Sequence, residues 1–244
     1  MHIDFSGLFH QSSKDRSGEG GVNIPLDSSL WPVEWKTLFY KQYPRFKTIT
    51  LGDARPRGDL SNLIRSRRSH RDFAGRPLNK ARLGTLLKYA CGTTSEEENG
   101  YHRAQPSGGG RYPLEVYPII FVGGDGIPSG LYHYNIKEHG LDALWTRAFV
   151  KEDIAELFTY PWAQNASCAL VITAVFERNQ MKYGERGYRQ ILIEAGAIVQ
   201  NIYLVATALG IKCCAIDGVR EPEIERLLDI DGFSESAICS LVLG

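Results

Sequence analysis

The chain has 244 residues, 43% of them apolar and 23% charged, with 28 Lys+Arg against 28 Asp+Glu and so a formal net charge of zero. The length suits one large domain or two small ones with a substantial core, and the balanced charge gives no general attraction to nucleic acid or to an anionic membrane. No run of consecutive apolar residues approaches the roughly 20 that a membrane helix needs, and the acid-containing start MHIDFSGLFHQSSKD does not read as a signal peptide. Five cysteines (Cys91, Cys168, Cys213, Cys214, Cys239) are odd in number and lack metal-ligand spacing. Buried, reduced thiols in a cytoplasmic protein are therefore expected.

Residues 1–59 read as an irregular arm packed across a main body at 60–244. SSKDRSGEGG is a polar loop, and IPLDSSLWPVEW is interrupted by Pro25 and Pro32. Trp31, Trp35, Phe39 and Tyr40 are the arm's packing residues. A helix begins at Leu60–Ile64 and is expected to run into Arg65-Ser66-Arg67-Arg68-Ser69-His70-Arg71. Asn79 is a natural N-cap for a second helix to Tyr89, with Leu83, Leu86 and Leu87 inward and Gly92 closing it. TTSEEENGY at 93–101 reads as a polar loop. Strands follow at Val116–Val122, Leu131–Asn135 and Leu141–Trp145, the first two separated by a turn at 123–126. A helix is expected at Ala148–Thr159 and a central strand at Ala169–Phe176, whose β-branched residues favour that state.

The longest patterned stretch comes next. Ile191, Ala195, Ile198, Ile202, Ala206 and Leu209 recur at helical spacing. Leu192, Val199, Tyr203 and Val205 make most of the remaining surface apolar as well. Such a helix is buried or sits at a subunit interface, and Gly210 follows where helices commonly stop. A short buried strand at 211–216, a helix at Glu221–Leu228 and a strand at Ile238–Leu243 complete an α+β pattern without regular βαβ alternation.

Three stretches carry candidate chemistry. RSRRSHR gathers Arg65, Arg67, Arg68 and Arg71, and arginine forks match phosphate oxygens; a solvated basic helix face is the plainer alternative. PSGGGRYP lets backbone N–H groups approach an anion closely, or is simply a tight loop between prolines, and it matches neither a Walker loop nor a dinucleotide fingerprint. Lys182-Tyr183 offers an amine and a phenol. Burial and nearby cations such as Arg186 and Arg189 would bring the lysine towards the range where it acts as a base; a snorkelling lysine is the alternative. The six histidines form no metal-like cluster, and His133, between Tyr132 and Tyr134, reads as structural.

Taken together, RRSHRDF at 67–73, RAQPSGGGRYPLEVY at 103–117, GLYHYN at 130–135, KYGERGYR at 182–189 and ALG before AIDG resemble the nitroreductase-fold flavin dehydrogenases of the SagB/McbC type. FHQSSK at 9–14 is similar to the opening of such chains. The resemblance spans nearly the whole length and implies a central, mostly antiparallel sheet flanked by helices around a long buried helix. It implies FMN, held by Arg67, Arg68, Ser69 and Arg71 at the phosphate and ribityl chain, by Pro106, Ser107, Gly108 and Gly109 across a homodimer interface, and by the Asp217-Gly218 turn at the reactive ring edge. Lys182 and Tyr183 match the pair implicated in azoline oxidation.

Known members oxidise thiazoline or oxazoline rings in peptides to thiazole or oxazole. The expected partners are a peptide or carrier-tethered azoline, a second copy of the chain, and a cyclodehydratase or synthetase, with no nucleic acid and no membrane. The chemistry removes a proton from the carbon next to the carbonyl and a hydride from its neighbour, with dioxygen reoxidising the flavin. The sequence stops at Leu243-Gly244, so the basic C-terminal tail of other nitroreductases is not expected to help hold the phosphate. The alternatives are an NAD(P)H-dependent nitroreductase or quinone reductase and a flavin-free scaffold subunit.

Overall fold

The computed structural model describes residues 5–14, 24–25, 27–97, 100–124 and 126–244. The expected loop at 12–21 and turn at 123–126 fall partly outside them. The helices are α1 (Phe5–Ser12), α2 (Val33–Lys36), α3 (Leu60–Ser66), α4 (Lys80–Cys91), α5 (Lys151–Leu157), α6 (Glu177–Tyr183), α7 (Arg186–Leu209) and α8 (Glu221–Leu228). The strands are β1 (Thr48–Thr50), β2 (Thr93–Glu97), β3 (Gly100–Arg103), β4 (Leu114–Ile120), β5 (Gly130–Asn135), β6 (Gly140–Thr146), β7 (Cys168–Val175), β8 (Cys213–Ile216) and β9 (Glu235–Leu243).

Seven strands form one sheet in the order β1-β6-β5-β4-β7-β9-β8, and each pairing in it is antiparallel. Alternation along the strands builds two cores. Leu114 and Val116 of β4, Leu170 and Ile172 of β7, and Leu241 and Leu243 of β9 face α4 and α7, meeting Leu83, Leu86, Leu87, Ile191, Ile198 and Ile202. Tyr117, Ile119, Val171 and Val242 point the other way, to Ile154 and Leu157 of α5 and Ile224 and Leu228 of α8. Each fully buried Leu or Ile is worth roughly 1.5–3 kcal/mol. All five cysteines are free thiols.

The α4 helix follows its sequence signal: Asn79 Oδ1 accepts the Arg82 amide at 3.1 Å and caps it. The long helix also forms, but it does not begin at Lys182. Gly184 breaks the chain with φ of 53°, leaving Lys182 and Tyr183 on the separate α6. By length and composition α7 would pass for a membrane span, although Glu194, Gln200 and Asn201 interrupt its apolar residues. It lies instead against α4 and the sheet, with Glu194 and Asn201 hydrogen-bonded to protein groups. Two apolar residues of its outer surface are bare: Leu192 is 42% and Ile193 74% exposed.

Four expectations change. The α3 helix stops at Ser66 rather than running through the arginines. Residues 67–73 are non-helical, and the His70 amide donates to the Cys213 carbonyl at 2.9 Å; β8 is a sheet edge with carbonyls to offer, and the arginine run has no apolar stripe to hold a helix. Residues 93–103 are a two-stranded ribbon, β2 with β3, rather than a loop. Its Tyr101 ring packs edge-on against Tyr40 at 5.7 Å. The helix expected at 148–159 is cut to α5, where the Asp153 carboxylate accepts the Val150 amide. Finally, residues 1–59 are not wholly irregular: they hold α1, α2 and β1, and β1 extends the sheet beside β6.

Candidate functional site

The arginine run and the Asp217-Gly218 turn share one edge of the sheet. The Arg67 guanidinium lies over the Tyr203 ring, 5.0 Å from its centroid. The Tyr203 hydroxyl meets Ser69 Oγ at 2.9 Å and accepts the Ala215 amide at 2.7 Å. One phenol of α7 thus ties the 67–70 segment to β8. Arg71 lies over Trp162 at 5.8 Å, and Trp162 stacks on Tyr160. Beside them the Gly218 carbonyl accepts the Thr159 amide and hydroxyl at 2.8 and 3.1 Å. A Cβ at 218 would overlap the Thr159 hydroxyl and the Tyr160 ring. Asp217 is exposed at the end of β8. Among the described residues Arg67 and Arg71 have no carboxylate partner. Arg68 turns back instead, donating to the carbonyls of Arg65 and Arg67 at 2.8 Å.

The glycine loop lies elsewhere, against α6 and the beginning of α7. Ser107 Oγ accepts the Tyr112 amide at 2.8 Å and closes the loop. Gly109 has φ of 64°, which L-residues avoid. A Cβ there would overlap the Tyr183 hydroxyl and lie 3.3 Å from Lys182 Nζ, and one at Gly108 would overlap Gln190. The loop therefore packs on the Lys182-Tyr183 pair with nothing between them.

Lys182 is 1% exposed, and its Nζ has no hydrogen-bond partner among the described residues. Burial, then the Arg111 guanidinium, push its pKa below the usual lysine range, the condition for an amine to work as a base. Arg186 and Arg189 were the expected cations. The break at Gly184 separates their helix from α6, and Arg189 turns to Ser13 Oγ at 2.7 Å and to the His10 carbonyl. Arg111 takes that place, held by the carbonyls of Arg178, Trp35 and Thr37 at 2.7, 2.8 and 3.1 Å. Burial raises the Tyr183 phenol, so it is a hydrogen-bond donor at neutral pH.

Reading residues in isolation missed Glu194. It is 2% exposed on the inner face of α7 and accepts from Gln105 Nε2 at 3.2 Å. Burial lifts its pKa to about 7, against the hydrogen bonds of Ser107 and Gln105. The signal was a lone acid inside ILIEAGAIV. Gln190, Tyr203, Trp31 and Trp35 also enter the site, and only their contacts give them away.

Within one chain the two groups are apart. Gln190 marks the glycine loop and Tyr203 the arginines, and 13 residues of α7 at a 1.5 Å rise separate them by about 20 Å.

A family model, the nitroreductase family, matches residues 64–244. MJ1384 of Methanocaldococcus jannaschii, provisionally named a nitroreductase, is 31% identical over 70% of this chain and 84% of its own. The trifolitoxin-processing protein TfxB of Rhizobium leguminosarum is 33% identical over 65% of this chain and 45% of its own. The microcin B17-processing protein McbC of Escherichia coli is 29% identical over 63% and 58%. A chain of the solved E. coli McbBCD microcin synthetase complex, with truncated pro-MccB17 bound, superimposes with a TM-score of 0.63 at 20% identity, covering 97% of this chain and 85% of that one. The chain thus spans less than two thirds of TfxB and of McbC. With three quarters of its length matched by one family model, the chain belongs to the nitroreductase family.

Proposed function

We propose that this chain is an FMN-dependent dehydrogenase that oxidises thiazoline or oxazoline rings in a peptide or carrier-tethered intermediate, working as a homodimer. The observation that carries the reading is Lys182: a buried amine with no hydrogen-bond partner among the described residues and a lowered pKa, packed with Tyr183 against a glycine loop. A nitroreductase fed by NAD(P)H has no need of a base at that place.

The donors suit FMN in two parts. Arg67 and Arg71, without carboxylate partners among the described residues and with Ser69 between them, suit a phosphate and a polyol. The Asp217-Gly218 turn at the end of β8 suits the polar ring edge, and the Pro106–Gly109 loop, packed on Tyr183 and Lys182, is the wall that brings that pair to the ring. The two parts lie about 20 Å apart on one α7, so a second copy has to bring its glycine loop, Lys182 and Tyr183 to the first copy's arginines. In this reading the exposed Leu192 and Ile193 of α7 belong to the surface on which two copies meet.

When bound, FMN supplies the acceptor for the substrate hydride and passes the electrons to dioxygen. Lys182, whose pKa burial and Arg111 lower, takes the proton from the ring carbon next to the carbonyl. Tyr183 donates its hydroxyl proton in a hydrogen bond that orients the ring, and Gly109 leaves room for both. Names of relatives add support: TfxB is a trifolitoxin-processing protein, McbC a microcin B17-processing protein, and the McbBCD structure holds truncated pro-MccB17. A cyclodehydratase or synthetase subunit is the corresponding partner here.

The test is mass spectrometry of azoline peptides incubated in air with the yellow protein. A loss of two hydrogens is expected, falling about 10²–10⁴-fold in Lys182→Ala with FMN content unchanged. Bleaching of the flavin by NADPH with no change in the azoline would move the assignment to a nitroreductase.

A further inference from the structure

Lys182 lacks a hydrogen-bond acceptor but not a partner. Its Nζ is 3.2 Å from the centroid of the Trp31 ring, with Trp35 at 5.8 Å and Tyr183 at 5.4 Å. Gly109 closes a further side. An ammonium is at home over indole faces, yet a base gains nothing from a neighbour that favours its charged form. The contact suits a resting chain rather than a working one.

The arm that brings Trp31 is fastened unevenly. Its Trp35 end is bolted to the body: the indole N–H donates to the Met181 carbonyl at 3.2 Å, and Arg111 donates to the carbonyls of Trp35 and Thr37. The hydrogen bonds of 27–31 among the described residues stay inside the arm. Trp31 Nε1 donates to the Pro25 carbonyl at 2.7 Å, Lys36 Nζ to the Ser29 carbonyl at 3.0 Å, and the Ser29 amide to Asp27 at 2.8 Å. Next to this segment a cleft of about 770 Å³ is walled by Trp31, Trp35, Tyr101 and Tyr112 and floored by Gly109 and Gly110. That is the size of a small-molecule or short-peptide site.

The geometry points to Trp31 as a stand-in for the substrate: its indole covers the Lys182 amine at rest, and a flat, uncharged five-membered heterocycle takes that place when 27–31 tilts about the Trp35 anchor. Trp35 remains as the fixed wall, and the cleft takes the flanking peptide. The flat space that Trp31 vacates beside Trp35 then favours planar rings over open-chain residues. This rests on Lys182 being the base of the azoline reaction.

The experiment acylates the full-length, FMN-loaded protein with a small amine-reactive reagent and follows Lys182 against exposed Lys47 by peptide mass spectrometry. Trp31→Ala is expected to speed Lys182 labelling at least about tenfold relative to Lys47, and Trp31→Phe, which keeps a ring and the packing of the arm, to fall between. Thiazole-4-carboxamide is expected to restore protection in Trp31→Ala. Lys182 labelling that is as fast as Lys47 in the natural protein, or unchanged in both variants, overturns the masking. Thiazole that gives no protection overturns the replacement. Neither readout passes through turnover, so a masked amine in a chain that leaves azolines intact would count against the dehydrogenase reading alone.

Discussion

Replacing Glu194 by Gln tests whether the acid beneath the glycine loop is held protonated. Burial raises its pKa from 4.5 to about 7, with the nearby Arg103 and the two loop hydrogen bonds opposing. A carboxyl whose folded pKa is raised stabilises the fold fully below its unfolded pKa and loses that contribution as pH rises through the folded value. The window is therefore pH 4.5 to 7. At about 1.4 kcal/mol for each tenfold change in proton affinity, the gap is worth about 3 kcal/mol. Glutamine has the same shape, keeps an acceptor for Gln105 and a donor for Ser107, and does not titrate. Denaturant unfolding from pH 5 to 8.5 is the assay. Glu194→Gln should match the natural protein near pH 5 and exceed it by up to about 3 kcal/mol above pH 7.5. A difference that is constant with pH, or that grows towards acid, would refute a buried neutral carboxyl.

Three further outcomes are expected. Arg67→Ala removes a guanidinium that lies over Tyr203 and should weaken FMN binding about ten- to a hundredfold, the worth of one charged hydrogen bond, read by fluorescence titration with stability unchanged. Gly109→Ala places a methyl on the Tyr183 hydroxyl at φ of 64°; besides about 1–2 kcal/mol of backbone strain, it should displace Tyr183 and cut azoline oxidation more than it cuts FMN binding. Ile193→Glu puts a charge on the outer surface of α7, and light scattering should show a monomer that no longer retains FMN; a variant that stays dimeric and yellow would place the interface elsewhere.

The parts of the molecule that were legible in the sequence are those fixed by local pattern. The α7 stripe, the Asn79 cap and the β-branched run of β7 each state their element within a few residues. What was not legible depends on distant neighbours. The arginine run was given a helix because its start is helical, but β8, some 145 residues later, offers an edge that the extended chain pairs with. TTSEE lacks an apolar face, so its ribbon could not be told from a loop. Arg186 and Arg189 were near Lys182 in sequence, whereas Arg111 is near it in space. Trp31 was placed in an arm that packs on the body, but nothing local says that its ring covers an amine 151 positions away.

The seven-residue α6 is too short to hold Lys182 by its own helicity, and a line of buried charges does so. Arg178 donates to Glu115 Oε1 at 2.5 Å and to the Tyr112 carbonyl at 3.3 Å. Glu115 Oε2 meets His133 Nε2 at 2.9 Å, and His133 Nδ1 is 3.8 Å from Asp142, which accepts from Asn135 and Thr48. Burial alone would raise Glu115, but His133 and Arg178 hold it at about 2. Burial alone would lower His133, but the two carboxylates raise it. The Asp142 and Glu115 carboxylates, the His133 ring between them and the Arg178 guanidinium thus form a line from β6 to α6. Apolar residues of equal volume would be as stable as such a line, so its use is geometric: it fixes which face of α6 turns towards the glycine loop. Glu115→Gln leaves Arg178 buried without its anion, which should cost about 3–5 kcal/mol, and should raise Lys182 acylation in the molecules that remain folded. If stability falls while Lys182 labelling relative to Lys47 stays as it was, the line supports the sheet and not the amine.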